Sequence, residues 1–585
     1  MRTLATDVLI VGAGPAGLTA SALLARSGVD ALTVTKHAGT ANSPRAHITN
    51  QGTVEVFRDL GIEDQLRAVA TPNHLMGNNV WATSFAGEEI ARLRSWGTGP
   101  ARRADYDNAS PTAMANAPQH LLEPVLLDAA RHHGADLRFS TELLTITQDD
   151  EAVHAVVLDR DSGEEIAVTA RYAIGADGGR STVATQLGFP LTGEEGLGAA
   201  VNVWLEADLS RYTAHRPGVL YWISQPGNDY WVGSGTWICV RPWSEWVMLF
   251  MYDPAQGEPD LSRSALLERA HQTIGDPSVE VRIKSVGTWV MNHVVADRYR
   301  QGRVFLAGDA AHRHPPANGL GSNTSIQDAY NLSWKLAMVL SGQSGDQLLD
   351  TYSDERQPVG KQVVDRAMKS VADMRPISTA LGFRPDQTME EGWAGLHELA
   401  EDSPAGSARR QQLRDAVELQ NYQFNAHGIE LGQAYVSAAV VPDGTDALVP
   451  PRDPELFHEP GTRPGGRLPH AWLQAGTDVV STLDICSATE LTLLVGVGGE
   501  PWVQAAGKVS AELGIPLATR AVGYRQAYDD VSGDWDRISG IGDGGCLLVR
   551  PDRYIAWRSS QLPDDPAAAL GRVLRQVLAL PDPAA

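Results

Sequence analysis

The chain has 585 residues, 43% apolar and 20% charged, with a formal net charge of −23. That length exceeds one ordinary hydrophobic core and predicts two or three domains. The acidic balance argues against nucleic acid as a partner, because phosphate backbones attract basic surfaces.

The cysteines Cys239, Cys486 and Cys546 lie far apart, with no CxxC pair and no zinc spacing. A reduced, cytoplasmic protein is expected. No signal-peptide layout is found, and no apolar stretch of about 20 residues suited to a membrane.

In chain order, "TDVLIVGAGPAGLTASALLARSG" (6–28) reads as strand, tight turn and helix. Val8 to Val11 form a short β-branched strand. Gly12, Gly14 and Gly17 form GxGxxG, with Pro15 and Ala16 opening a helix whose Leu18, Ala22 and Ala25 recur at helical spacing. Gly28 ends it and "ALTVT" supplies a second strand. GxGxxG at the first turn of a βαβ unit is a dinucleotide-binding signal; alone it is a weak one.

Two Gly-Asp elements follow. "RYAIGADGGRST" (171–182) is a strand ending at Gly175, Asp177 and Gly178. "GRVFLAGDAAHRHPP" (302–316) is a strand ending at Gly308 and Asp309. Asp309 could ligate a metal with His312 and His314, start a helix, or hold a cofactor hydroxyl. The metal reading lacks an obvious third ligand nearby. "NGLGSNTSIQDAYNLSWKLAMVLSG" (318–342) predicts a Gly-rich turn and a long helix. Ser322, Asn323 or Thr324 would cap it, Ile326, Ala329, Tyr330, Ala337 and Leu340 would line one face, and Gly342 would end it.

Between these elements, residues 196–290 alternate apolar and polar and are rich in Trp ("VLYWISQPGNDYWVGSGTWICVRPWSEWVMLFMY"), which predicts antiparallel sheet. A polar helical stretch near 384–425 reads as a connector, and an α/β texture returns from about 430. The expected division is 1–182 and 291–395 for a nucleotide-binding domain in two parts, 183–290 for a substrate sheet, 396–429 for the connector and 430–585 for a C-terminal domain.

GxGxxG, GADG and GDAAHxxPP, in this order, resemble the class A flavoprotein aromatic monooxygenases, in particular the phenol hydroxylase branch. The resemblance spans essentially the whole chain. "NSPRAHITNQGTVEVFRDLG" (42–61) and "AHRPGVLYW" (214–222) look most like the chlorophenol and hydroxybiphenyl hydroxylases, with a further likeness to hydroxylases of piericidin-type hydroxypyridines. The implied fold is α/β: a p-hydroxybenzoate-hydroxylase-like FAD-binding Rossmann domain, an antiparallel substrate sheet, and a C-terminal thioredoxin-like domain. "RPGGRLPH" and "LLVRPDRYIAWR" look like signatures of that last domain. Without CxxC its role would be structural or in oligomerisation.

The resemblance also implies roles. Gly12, Gly14, Pro15, Ala16 and Gly17 would approach the FAD pyrophosphate, with the helix dipole adding to the attraction. Thr35 and Lys36 stand where the family usually has an acidic ribose ligand. Arg45, Gln119, Asp177, Gly308 and Asp309 would contact FAD. Asp309 suits hydroxyls because an ionised carboxylate only accepts. The turn at Pro315 and Pro316 would let the backbone amides of Gly319, Gly321, Ser322 and Asn323 approach the isoalloxazine ring.

His47 is the candidate base for a phenolic proton. Trp222, Trp289, Asn116 and Pro315 would line the substrate pocket, Asn116 standing where related chains carry Asp. The implied reaction is hydroxylation of a phenol or hydroxypyridine by a flavin C4a-hydroperoxide, with NADH or NADPH and O₂ consumed by what is expected to be a homodimer. The alternatives are an oxygenase of a large polyketide and a flavin-binding protein without turnover. A flavin halogenase is disfavoured because WxWxxI is absent.

Overall fold

The structure is a computed structural model and describes residues 2–226, 234–384, 387–445 and 449–581. Residues 227–233 of the Trp-rich run lie outside that set.

The nucleotide-binding half is built on a sheet in the spatial order Arg300–Gln301, Val304–Leu306, Glu165–Gly175, Arg2–Val11, Ala31–Val34 and Asp136–Arg138. The last five pair in parallel. Val8, Leu9 and Ile10 are fully buried, as a strand covered on both faces requires. Helices Pro15–Arg26, Gln119–His132 and Gly321–Leu340 pack together through Leu18, Leu122, Leu126 and Ile326. All three GxGxxG and Gly-Asp strand ends therefore arrive at the same edge of one sheet, the usual ligand edge of an open α/β fold.

The second sheet has seven strands, in the order Arg282–Val290, Ala199–Glu206, Glu245–Tyr252, Gly235–Arg241, Gly218–Ile223, Asn78–Ala82 and Glu89–Arg94. Two of these come from inside residues 1–182, so the sheet is not confined to 183–290. It is antiparallel except where Gly218–Ile223 lies parallel to Asn78–Ala82. One face is apolar: Val203, Leu205, Tyr221, Trp237, Trp246 and Met248 are buried in a cluster with Leu266, Ala270 and Ile274 of helix Arg263–Ile274.

Because paired residues share a face, the register places Trp81 beside Trp222, Trp222 beside Thr236, Thr236 beside Leu249, and Leu249 beside Asn202 on the opposite face. That face is aromatic and polar.

The connector differs from its expectation. Helix Pro404–Leu419 buries Leu413 and Ala416 in the same apolar cluster as Ile377, Ala380 and Leu396. Its polar residues cover the solvent side, which is why its sequence texture suggested a linker.

The C-terminal sheet runs Leu517–Ala521, Leu491–Val495, Cys546–Val549, Ile555–Ser559, the first pair parallel and the others antiparallel. Helices Glu500–Leu513 and Pro566–Val577 pack on it, giving thioredoxin-like connectivity. Its core continues into Trp334 and Met338 of helix Gly321–Leu340. Among the described residues no helix is long and apolar enough to cross a membrane.

Candidate active site

At the first turn Gly12 has φ +109°, and a Cβ there would lie 2.1 Å from the Ala176 carbonyl oxygen; one on Gly17 would lie 1.9 Å from that of Gly12. Only glycine fits either place. Helix Pro15–Arg26 starts at Gly14 with no side-chain cap and no acidic residue in its first turn. Its N–H groups are thus available to an anion.

Thr35 is buried at the strand end and accepts a 3.5 Å hydrogen bond from the His37 N–H, while Lys36 is exposed. Sequence reasoning missed Glu123. It sits one turn after Gln119, 3.9 Å from where a Gly14 Cβ would be, and accepts from the Gln119 amide at 2.6 Å and the Ala41 N–H at 2.5 Å. Burial raises its carboxyl pKa. The spacing of Gln119 and Glu123 was the only sequence signal for it.

Asp309 lies in the short turn Gly308–Ala310, where Gly308 has φ +64°. Asp309 is exposed at this sheet edge, yet the surrounding protein is dense enough to raise its carboxyl pKa, against the opposing pull of His312, Arg313 and Arg45. The charge of Arg45, itself exposed, acts on both Asp309 and Glu123.

The two histidines that raised a metal reading have other partners. His312 Nε2 bonds the Asp328 carboxylate at 2.8 Å, and His314 Nδ1 meets the Pro315 carbonyl at 2.6 Å. Among the described residues no three His, Cys, Asp or Glu side chains converge as a metal site would require.

Asp177 accepts from Ser181 Oγ at 2.6 Å and from the N–H groups of Thr182 and Val183 at 2.7 and 3.1 Å. Ser181 caps helix Thr182–Leu187 through the Ala184 N–H, and the Asp177 carboxylate holds Ser181 and the first two N–H groups of that helix, a turn-building task beside any contact with FAD.

The Gly-rich turn also corrects the capping expectation. Helix Gly321–Leu340 begins without a side-chain cap. Ser322, Asn323 and Thr324 are already helical, because the turn at Asn318 and Gly319, both with φ +65°, puts the cap position at Leu320. The Asn323 amide donates to the carbonyls of Ile48 and Gly319 and accepts from the Asn50 N–H, tying the "PRAHIT" strand to the turn. The helix is buried nearly all round rather than along one face, Lys335 included. Gly342, φ +75°, follows its end as expected. Gly319 packs its α-carbon against Ile48, Pro315 is buried, and Pro316 is exposed.

Beyond the turn, the His47 ring has the Asn116 side chain and the Cys239 carbonyl as polar neighbours, with His120 close by. Burial lowers its pKa to about 3, and its Nδ1 has no protein partner. Asn116 is fully buried and donates to the Cys239 carbonyl at 2.9 Å. That carbonyl lies at a bulge between Cys239 and Arg241.

The sheet face described above includes Trp222, stacked on Trp81 at 6.3 Å and donating to Asn79 at 3.2 Å. Trp289 bonds Asn202 at 3.1 Å on the edge strand, four strands from Trp222, or about 19 Å at ordinary strand spacing. The two tryptophans therefore do not form a single wall.

The glycine cradle, the two uncapped helix N-termini and Asp309 together fit a dinucleotide with a polyhydroxylated linker, as in FAD. The comparisons agree. Residues 5–367 match the FAD binding domain family and residues 461–581 the aromatic-ring hydroxylase C-terminal family. The chain is 48% identical to 2,4-dichlorophenol 6-monooxygenase of Cupriavidus pinatubonensis, over 98% of this chain and 97% of that protein. It is 44% identical to phenol 2-monooxygenase of a Pseudomonas species, over 97% and 92%.

Among solved structures, the flavin-dependent monooxygenase PieE in complex with FAD and substrate superposes with a TM-score of 0.96 at 45% identity, over 99% of this chain and 100% of that one. Fold, cradle and relatives agree: the chain belongs to the FAD-dependent aromatic-ring monooxygenases.

Proposed function

We propose that the chain hydroxylates a phenol or hydroxypyridine, with His47 as the group that receives the hydroxyl proton. The observation that carries this reading is the His47 imidazole, half-buried beside Asn116 and the Cys239 carbonyl with its Nδ1 covered and unpartnered. A carbonyl neighbour favours the tautomer with N–H on that side, which leaves the lone pair on Nδ1. Burial keeps the ring neutral and also makes it a weak base by itself, so proton transfer depends on the phenolate formed beside it, whose charge would stabilise the imidazolium.

FAD, reduced by NADH or NADPH, supplies the activated oxygen in this family. The cradle of Gly12, Gly14 and Gly17 with Asp309 would hold it, and Arg45 and Gln119 would assist. Trp222 and Trp81 would stack the ring and keep water out, since flat apolar walls suit a planar substrate. Losing its proton makes the ring carbon more nucleophilic toward that oxygen.

The buried free cysteines support a reducing, cytoplasmic setting; the homodimer rests on family resemblance. The test is NAD(P)H oxidation and oxygen uptake with 2,4-dichlorophenol, 2-hydroxybiphenyl and a piericidin-like hydroxypyridine, read with product mass. A gain of one oxygen supports the reading and identifies the ring. Stimulation by none of these rings contradicts it.

A further inference from the structure

Two consecutive residues of helix Asp350–Asp373 bind in different directions. Glu355 receives both Nη atoms of Arg550, from the C-terminal domain, at 2.6 and 2.8 Å, and Lys335 Nζ at 2.7 Å. Arg356 turns the other way, as the roughly 100° step between helical neighbours requires. Its Nε donates to Asp328 Oδ1 at 2.8 Å, and its Nη1 to Gln433 at 2.9 Å and to the Tyr435 hydroxyl at 3.1 Å. The Tyr435 ring stacks on Tyr554 of the C-terminal domain at 4.0 Å.

The second oxygen of Asp328 takes the Gly308 N–H at 3.1 Å and His312 Nε2 at 2.8 Å. Gly308 is the residue before Asp309. Asp328 and Arg356 are 0% exposed, so neither can exchange its partner for water.

We propose that Arg356 and Asp328 are positioning residues that fix the Gly308–Asp309 turn for FAD and couple it to the docked C-terminal domain. A buried carboxylate needs its donors. With Arg356 in place, Asp328 is held by three: Arg356 on one oxygen, and the Gly308 N–H and His312 on the other. Without Arg356 the carboxylate loses its compensating charge, and it must gain a proton or move. Either response disturbs the Gly308 N–H and, through it, the direction of Asp309. The C-terminal domain, which has no CxxC, thereby gains a task at the flavin cleft: it orients Tyr435 and clamps Glu355 on the same helix. The inference rests on the family's FAD site and not on the substrate reading, and its test needs no substrate.

The experiment measures FAD dissociation constants by titrating apoprotein, alongside thermal unfolding, for the full chain and three variants. Arg356→Gln breaks the relay. Leu570→Ala opens a cavity in the C-terminal core, where Leu570 is 0% exposed, and controls for stability loss alone. Tyr435→Phe removes one acceptor while keeping the stack, and serves if Arg356→Gln does not fold. Arg356→Gln should weaken FAD binding by about tenfold or more, equivalent to ~1.4 kcal/mol. Tyr435→Phe should weaken it by about threefold, the scale of one hydrogen bond. Leu570→Ala should lower the melting temperature with FAD affinity unchanged. Wild-type FAD affinity in Tyr435→Phe and in folded Arg356→Gln would overturn the proposal, as would an equal loss in Leu570→Ala.

Discussion

Asn116 and His47 share the Cys239 carbonyl as a polar neighbour, and the Asn116 amide donates to it at 2.9 Å. The amide gives the His47 ring a polar neighbour without charge. An Asp at this place would instead favour imidazolium. Asn116→Asp should therefore raise the His47 pKa by about one to three units. His47 must be neutral to accept a proton, so the acid limb of the kcat/KM profile should move to higher pH. An unmoved limb would separate Asn116 from the proton-accepting group.

Asp309 and the first glycine test the cofactor cleft. Asp309→Asn keeps the shape and removes a charged acceptor, so FAD affinity should fall by about tenfold, as charge-assisted hydrogen bonds exceed neutral ones by ~1–2 kcal/mol. Gly12→Ala places a Cβ on the Ala176 carbonyl and should leave a colourless, FAD-free protein. Both are read from the flavin content of the purified chain. Full flavin content in Gly12→Ala would contradict the cradle.

Trp222 is held in the sheet face by its bond to Asn79 and its stack on Trp81. Trp222→Ala should raise KM and divert NAD(P)H oxidation toward peroxide, with product per NAD(P)H falling severalfold. Losing such a ring costs on the order of 1–3 kcal/mol of contact. Trp289→Ala, four strands away, should do neither.

Glu430 provides a pH signature. It is 3% exposed, one of its carboxyl oxygens has no partner, and burial raises its pKa to about 8. A carboxyl whose folded pKa lies above its unfolded value binds more protons when folded. Its penalty therefore grows as pH rises from about 4.5 to about 8. Glu430→Gln should stabilise the fold by a few kcal/mol at pH 8 and change little at pH 5. Chemical denaturation at both values checks this; equal effects at both would refute the burial argument.

The histidines act in the opposite sense. Burial lowers the pKa values of His47 to about 3 and His314 to about 4. The unfolded chain binds their protons first, so their contribution to stability is lost as pH falls below about 6.5.

Much of this arrangement was legible in the sequence. GxGxxG, GADG and GDAAH name strand ends, and because parallel strands present those ends on one edge, the sequence alone places Gly12 and Asp309 near one another at that edge. What remained hidden depends on contacts between distant segments. Glu123 faces Gly14 because one helix packs on another. The pairing of Trp81 with Trp222 needs strand Asn78–Ala82 to cross into the second sheet, which local patterning cannot show. Trp289 read like Trp222 because both lie in apolar alternation; only strand order separates them. Ser322 to Thr324 read as caps, but the positive-φ turn at Asn318 and Gly319 sets the helix start earlier, at Gly321.

The most direct test of the central claim is the ultraviolet difference spectrum of a hydroxylated phenol bound to the oxidised enzyme without NAD(P)H, for the natural chain and His47→Gln. With His47 as the proton acceptor, a phenolate band is expected in the natural enzyme and a phenol band in the variant at the same pH. A phenolate band in both would show that another group takes the proton, and His47 would lose its role.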